Sequence, residues 1–246
     1  MQYLPGFISE SLALALEAEL DRFIAVAPPK LPFNKSRYGE FHKSGMQSTF
    51  PSDVPCWEVR LVIYNQQGHN LRPGPSADLA GACYRTEASL RFRTSTPLTA
   101  LSERLSQTLA AIDLEAWNLA RGHVAAAKRE WATLAAAEKG TDVCFAGIFV
   151  LVNVFTGVHL DKKDIADGWA AMTVLGHFTD SHFYVPDRDA RLPHKRKDVV
   201  LLRSRILRHF SEQFQILQGT GRYVLVHTNN QKVFDYLSER YHMIYF

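Results

Sequence analysis

Val158-His159-Leu160-Asp161 is the stretch that decides how this chain is read. A β-strand turns successive side chains to opposite faces, so residues two apart project together, and an extended His-x-Asp delivers one imidazole and one carboxylate to the same side. A second imidazole must then come from a later strand. Arg208-His209-Phe210, with His209 placed 48 residues after Asp161, supplies it. Two His and one carboxylate on one face of an octahedron suit non-heme Fe(II), and they leave three neighbouring positions for a bidentate 2-oxo acid and O2. Further on, Gly221-Arg222-Tyr223 offers a guanidinium whose planar fork fits the far carboxylate of such a co-substrate. The metal ligands expected are therefore His159, Asp161 and His209, with Arg222 binding the co-substrate.

A lone His-x-Asp is a weak motif, and its setting strengthens it. Cys144 to Phe155 is a nearly continuous apolar, β-branched run that predicts a buried strand leading up to the pair. Trp169–Leu175, His182–Val185, Val199–Leu202 and Tyr223–Val226 predict further short strands separated by turn residues. That rhythm, from Val143 to Thr228, is the one a jelly roll or double-stranded β-helix needs. The fold class expected is α+β: a double-stranded β-helix core with helices packed outside. Read otherwise, His159 and Asp161 are an exposed pair at a strand end, His209 a partly buried His and Arg222 a salt-bridge partner. The order and strand setting of all four favour the metal reading.

His159-Leu-Asp-Lys-Lys-Asp164, Gly168-Trp-Ala-Ala-Met-Thr-Val-Leu-Gly176, Tyr184-Val-Pro-Asp187, Lys197-Asp198-Val-Val, Arg205-Ile-Leu-Arg-His209 and Gly221-Arg-Tyr-Val-Leu-Val-His-Thr228 together resemble the TET/JBP family. These are the ten-eleven translocation and J-binding-protein oxygenases of nucleic-acid bases, and the likeness is greatest to the fungal, transposon-associated branch. It covers roughly the last 90 residues and extends loosely to Arg37-Tyr-Gly-Glu-Phe41. The resemblance implies Fe(II), 2-oxoglutarate and O2, and oxidation of a methyl group on a base flipped out of DNA. The expected substrate is 5-methylcytosine, taken to 5-hydroxymethylcytosine and further, with N6-methyladenine or thymine as alternatives. It also implies that Asp164 and Asn230 bind the substrate base, that Asn153 corresponds to an Asn of the family's pre-motif strand, and that the setting is nuclear.

Three departures from the family pattern stand out. Val224 occupies the place of a small hydroxyl residue two after Arg222. Asn230 replaces a base-touching His, and Phe155-Thr-Gly-Val158 lacks an Arg. Alternation puts Arg222, Val224, Thr228 and Asn230 on one side of the last strand and His227 on the other. Other readings stay open: an oxygenase of protein or small molecules, a repair-type demethylase, which would be expected to carry a second downstream Arg, or a degenerate DNA-binding relative.

The whole chain sets wider bounds. Its 246 residues, 46% hydrophobic and 22% charged, suffice for one large domain with a full core. We expect a single dioxygenase domain over 1–246: a helical and loop-rich part at 1–142, the β core at 143–230 and a final helix at 231–246. Three cysteines, Cys56, Cys83 and Cys144, form no CxxC, which fits reduced thiols in an intracellular protein; Cys144 reads as core. Neither a signal peptide nor a membrane span is read, so no membrane partner is expected. A net charge of +3 permits a polyanionic partner without demanding one. A monomer is expected.

Ile8 to Val26 predicts an amphipathic helix capped by Ser9, and Trp57–Tyr64 a strand within an otherwise turn-rich segment reaching Pro97. Arg60, Asn65, Asn70 and Arg72 are candidates for reaching nucleic acid. Leu98 to Ala137 predicts two helices broken at the glycine of Ala120-Arg-Gly-His123, with Trp117 and Trp131 as core anchors and His123 exposed. Lys162, Lys163, Arg203, Arg205, Arg208 and the run His194-Lys-Arg-Lys197 make the site region basic, and that run is a candidate for phosphate contact. His177 and His182 are read as surface or supporting residues.

Overall fold

The computed structural model describes residues 1–27, 57–64, 72–80, 84–217 and 221–241. Its elements are, in chain order, β1 (Gln2–Leu4), α1 (Glu10–Val26), β2 (Trp57–Leu61), β3 (Ile63–Tyr64), β4 (Gly74–Pro75), α2 (Ala77–Ala80), α3 (Tyr84–Arg93), α4 (Thr96–Ile112), α5 (Leu114–Glu130) and α6 (Ala132–Ala137). There follow β5 (Gly147–Val152), β6 (Ala170–Gly176), β7 (Phe178–Thr179), β8 (His182–Val185), β9 (Ala190–Pro193), β10 (Val199–Leu202), β11 (Phe210–Ser211), β12 (Gln215–Ile216), β13 (Arg222–Thr228) and α7 (Gln231–Tyr241). Arg37–Phe41, Asn65, Asn70, Cys56 and Cys83 lie outside the described residues.

A six-stranded antiparallel sheet, ordered β1-β10-β6-β13-β5-β2, carries the architecture. Most of the expected strands are present within a residue or two at their ends, but the run Cys144–Phe155 forms a strand only over Gly147–Val152 and Trp57–Tyr64 divides into β2 and β3; β6 is buried along its whole length. Both faces of the sheet are covered. On one face Tyr223, Leu225, Ala171 and Ile148 join the apolar residues of α1, α3 and α4 in the main core. On the other, Val224, Met172 and Val200 meet Phe183 and Val185 of β8, which with β9 and β11 forms a three-stranded antiparallel sheet. Alternation along β13 thus sends odd positions to the helices and even positions between the sheets. Mixed helices and two facing antiparallel sheets accord with the jelly-roll expectation. The N-terminal strand pairing Gln2–Leu4 with β10 was not expected from sequence.

The helical half differs from the expectation at its breaks. The region expected to hold two helices forms three, and Gly122 lies inside α5. A mid-helix glycine costs about 1 kcal/mol relative to alanine and does not by itself end a helix. Asp113 does so instead: its N–H closes α4 on the Leu109 carbonyl, and its carboxylate accepts from the Ala116 N–H to open α5. The segment before Pro97, expected to be turns, contains α2 and α3, while Ser9 caps α1 as expected by accepting from the Leu12 N–H.

Two glycines fix the end of β13. Gly176 and Gly221 both have left-handed φ, +98° and +95°, and a Cβ on Gly176 would run into the Gly221 carbonyl. Asn153, itself at φ 53°, accepts from the Arg222 N–H through Oδ1 and donates its own N–H to the Arg222 carbonyl. Arg222 is thereby held at a defined height between β5 and β6.

Candidate metal centre and its cavity

His159 and Asp161 lie on an extended segment just after β5, outside any regular strand. What replaces the ladder is a single bridge: the His159 N–H donates to the His209 carbonyl at 3.1 Å and the His209 N–H returns to His159 at 3.0 Å. The Asp161 N–H donates to the Ser204 carbonyl, which sets the second limb of the same pairing. The two imidazole rings consequently stand 4.4 Å apart between centroids. His159 Nε2 is 3.8 Å from Asp161 Oδ1, and His209 Nε2 is 3.4 Å from Asp161 Oδ2.

These three side chains each turn one ligand atom into a space where all lie within 4.8 Å of one another. Cis ligands at about 2.1 Å from an octahedral ion stand about 3 Å apart, so a contraction of the cluster would let the three bind one ion together. The tautomers already suit it. His159 Nδ1 lies 2.7 Å from the Gly157 carbonyl and His209 Nδ1 lies 3.0 Å from that of Leu207. A carbonyl only accepts, so each Nδ1 carries the proton and each Nε2 presents its lone pair. The donor set is that of a borderline divalent cation.

A cavity of about 670 Å³ opens from this cluster, within the range of small-ligand pockets. Leu151, Met172, Phe183, Val224 and Val226 form its apolar walls, and Lys162, Lys163, Asp164, Arg208, Thr228 and Asn230 line it too. His227 points away, toward Phe145 and Ser102, as alternation required. Asp164 and Asn230 are paired through a backbone bridge. Asp164 Oδ2 accepts from the Ser204 hydroxyl, while Asn230 Oδ1 accepts from the N–H groups of Lys232 and Val233 at the start of α7. Its oxygen caps the helix, and its amide NH2 is what remains for the cavity.

Arg222 is buried and is not among the residues that line this cavity. It donates from Nη1 to the Val154 carbonyl and from Nη2 to His194 Nδ1, with the rings of Phe214 and Phe178 at 4.9 and 5.6 Å from its guanidinium carbon. Burial without a carboxylate pulls its pKa down to about 9.

Three residues of the basic run 194–197 are committed within the fold, leaving Lys195 exposed. His194 is buried, and desolvation followed by the Arg222 charge pushes its pKa well below the ordinary value; Arg196 pairs with Glu17 and Glu10, and Lys197 with Glu10. These residues tie α1 to the sheet. Arg203 pairs with Asp113, Arg208 with Asp187, Arg60 with Glu58 and Arg72 with Glu130, so much of the positive charge read from sequence is matched by a carboxylate, in pairs that are partly or largely exposed. Lys162 and Lys163 remain exposed beside the cavity. His123, expected to be exposed, is fully buried against Phe234, and desolvation holds its pKa at about 4. His182 is 3.5 Å from Glu212 away from the metal cluster, and His177 is exposed, as expected. Cys144 is core, its thiol pushed up to about 12 by burial. Sequence reasoning missed His194 as the partner of Arg222 and Ser204 as the support of Asp164; no local pattern marks either.

Compared with solved structures, the fold matches that of NgTET1 in complex with 5mC DNA, with a TM-score of 0.58, 12% identity, and coverage of 93% of this chain and 71% of that one. An oxidoreductase of the 2OG-Fe(II) oxygenase family from Burkholderia pseudomallei matches at TM-score 0.40 and 15% identity over 92% of this chain and 82% of that one. OsALKBH1 matches at TM-score 0.48 and 11% identity over 93% and 97%. No family model and no curated protein matches the sequence. At 12% identity, what this chain shares with NgTET1 is its fold. Among the described residues no helix is long and apolar enough to cross a membrane.

Proposed function

We propose that the chain is a single Fe(II)- and 2-oxoglutarate-dependent dioxygenase domain that oxidises the methyl group of a modified base flipped out of DNA, with 5-methylcytosine as its substrate. The observation that carries this reading is the His159–Asp161–His209 cluster, in which both imidazoles are held by backbone carbonyls with Nε2 presented beside one carboxylate. Support comes from the fold shared with NgTET1, whose structure is a complex with 5mC DNA.

Fe(II) on this face would couple the oxidative decarboxylation of 2-oxoglutarate by O2 to hydroxylation of a C–H bond, yielding succinate, CO2 and the hydroxymethyl base. His159, Asp161 and His209 would hold the ion, which would supply the redox chemistry at this site. Arg222 is the cation for the far carboxylate of 2-oxoglutarate. Leu151, Met172, Phe183 and Val224 keep water from the reacting atoms. A methyl group stacked in a duplex cannot reach a buried metal, so the base must leave the stack.

Asp164 and Asn230 then face its hydrogen-bonding edge as an acceptor beside a donor. Cytosine offers the complement, an exocyclic amine beside a ring-nitrogen acceptor. Lys162 and Lys163 at the rim are placed to meet the flanking phosphates.

The experiment is turnover with Fe(II), 2-oxoglutarate and air on DNA carrying 5-methylcytosine or N6-methyladenine, with nucleosides read by mass spectrometry. We expect 5-hydroxymethylcytosine with wild type and none with Asp161→Ala. Oxidation of N6-methyladenine alone would reassign the base, and 2-oxoglutarate consumption with neither base changed would move the substrate to protein or a small molecule.

A further inference from the structure

Arg222 is surrounded in an unusual way for a buried cation. Its partners among the described residues are the Val154 carbonyl, the His194 ring and two aromatic faces, with no carboxylate against it. A buried charge without a counter-ion is costly, and natural proteins pair such charges or reserve them for a ligand.

The 3.0 Å contact between Arg222 Nη2 and His194 Nδ1 also fixes a tautomer. A guanidinium only donates, so Nδ1 accepts and the imidazole proton sits on Nε2. That Nε2–H is buried and has no hydrogen-bond partner among the described residues, and the same holds for Arg222 Nε and the Ser181 hydroxyl. Ser181 adjoins His194, accepting its backbone N–H at 2.9 Å. Arg222 thus keeps one buried N–H, at Nε, without an acceptor among the described residues, beside its full positive charge. Phe183 holds the His194 ring edge-on at 5.3 Å, which limits its rotation.

We propose that His194 is the positioning residue of the co-substrate site: as a neutral acceptor it sets the Arg222 guanidinium for a carboxylate. The proposal rests on the 2-oxoglutarate reading above. Desolvation and the Arg222 charge keep His194 neutral across the physiological range, so the acceptor is always present. His194 donates nothing to Arg222 and cannot replace the anion. It leaves the guanidinium charged and aimed.

The test is equilibrium binding without turnover: calorimetric titration of 2-oxoglutarate into Mn(II)-loaded protein under anaerobic conditions, for wild type, His194→Met and His194→Gln. Methionine fills the space without an acceptor for Nη2, and we expect 2-oxoglutarate affinity to fall roughly tenfold with Mn(II) affinity unchanged. Glutamine can accept from Nη2, and should stay within about threefold of wild type.

A third variant, His194→Glu, gives Arg222 an internal counter-ion. It should raise the melting temperature while abolishing 2-oxoglutarate binding, a combination that a purely structural role for His194 does not produce. Equal affinity in wild type, His194→Met and His194→Glu would overturn the proposal. Absence of 2-oxoglutarate binding in wild type would instead overturn the functional reading beneath it. Should His194→Met fail to fold, the Gln and Glu variants decide the matter, since retained binding in Gln with loss in Glu is expected and retention in both contradicts it.

Discussion

His159 and His209 are joined by a reciprocal pair of backbone hydrogen bonds, and that pairing, made outside any regular strand, places their rings 4.4 Å apart. The spacing of the candidate metal ligands is thus a property of main-chain geometry. Side-chain truncation leaves the bridge intact, because neither hydrogen bond uses the ring. We expect His159→Ala and His209→Ala to keep the fold, with a melting temperature within a few degrees of wild type, and to lose metal affinity by more than about 100-fold in calorimetry with Mn(II). Loss of folding alongside metal binding would make the rings structural instead.

Asn230 divides its two ends between α7 and the cavity, so its roles separate by substitution. Asn230→Asp keeps an oxygen to cap Lys232 and Val233 but removes the donors. Stability should hold within about 0.5 kcal/mol in urea unfolding, since Asp and Asn cap about equally well. Turnover on 5-methylcytosine should fall by roughly 10- to 100-fold, as expected when a buried polar contact becomes repulsive. Unchanged turnover would remove Asn230 from base recognition.

Asp113 links four parts of the fold: it stops α4, caps α5, and accepts from Trp169 Nε1 and Arg203 Nη2. Desolvation works against its charge, and the bonds from Ala116, Trp169 and Arg203 outweigh it, so its folded pKa lies below the ordinary carboxylate value of 3.8. A depressed carboxylate contributes stability above its unfolded pKa and loses it as pH falls through the folded one. Asp113→Ala should cost about 1–2 kcal/mol at pH 7, much of it the cap. Asp113→Asn should cost less, and its deficit should shrink below about pH 4, read by denaturant unfolding across pH.

Acid should weaken the protein through buried neutral histidines. His123 titrates at about 4 in the fold and His227 at about 3, both lowered first by desolvation, against an ordinary value of 6.5. The unfolded chain then binds more protons between those values, so stability is fully present above pH 6.5 and declines as pH falls toward 4. Each such group adds a slope of up to about 1.4 kcal/mol per pH unit. His123→Phe removes one of them, and its unfolding free energy should depend less steeply on pH between 6.5 and 4 by about that amount. An unchanged slope would show that His123 stays accessible to protons in the fold.

Much of this was legible in the sequence. The strands around Val158-His-Leu-Asp161 follow from period-2 patterning, which a buried sheet enforces locally, whereas His159, Asp161 and His209 are read from spacing and order and sit outside the regular strands. Residues that depend on tertiary pairing were not. Gly122 was read as a helix break because glycine is a poor helix former, yet packing of α5 overrides that cost, and Asp113 breaks the helix through side-chain capping. His123 and His194 each sit among residues that read as exposed, and only the assembled fold buries them. The basic run 194–197 shows the same limit, since its partners Glu10 and Glu17 lie on α1, at the far end of the chain.

The most direct test of the central claim is an anaerobic titration of Fe(II) and 2-oxoglutarate, followed by the visible metal-to-ligand charge-transfer absorption of the chelate. The account predicts a band in wild type that saturates at one equivalent of each, is absent in His159→Ala and needs a higher 2-oxoglutarate concentration in Arg222→Lys. A wild-type protein that binds Fe(II) and 2-oxoglutarate without producing the band, or binds neither, would contradict it.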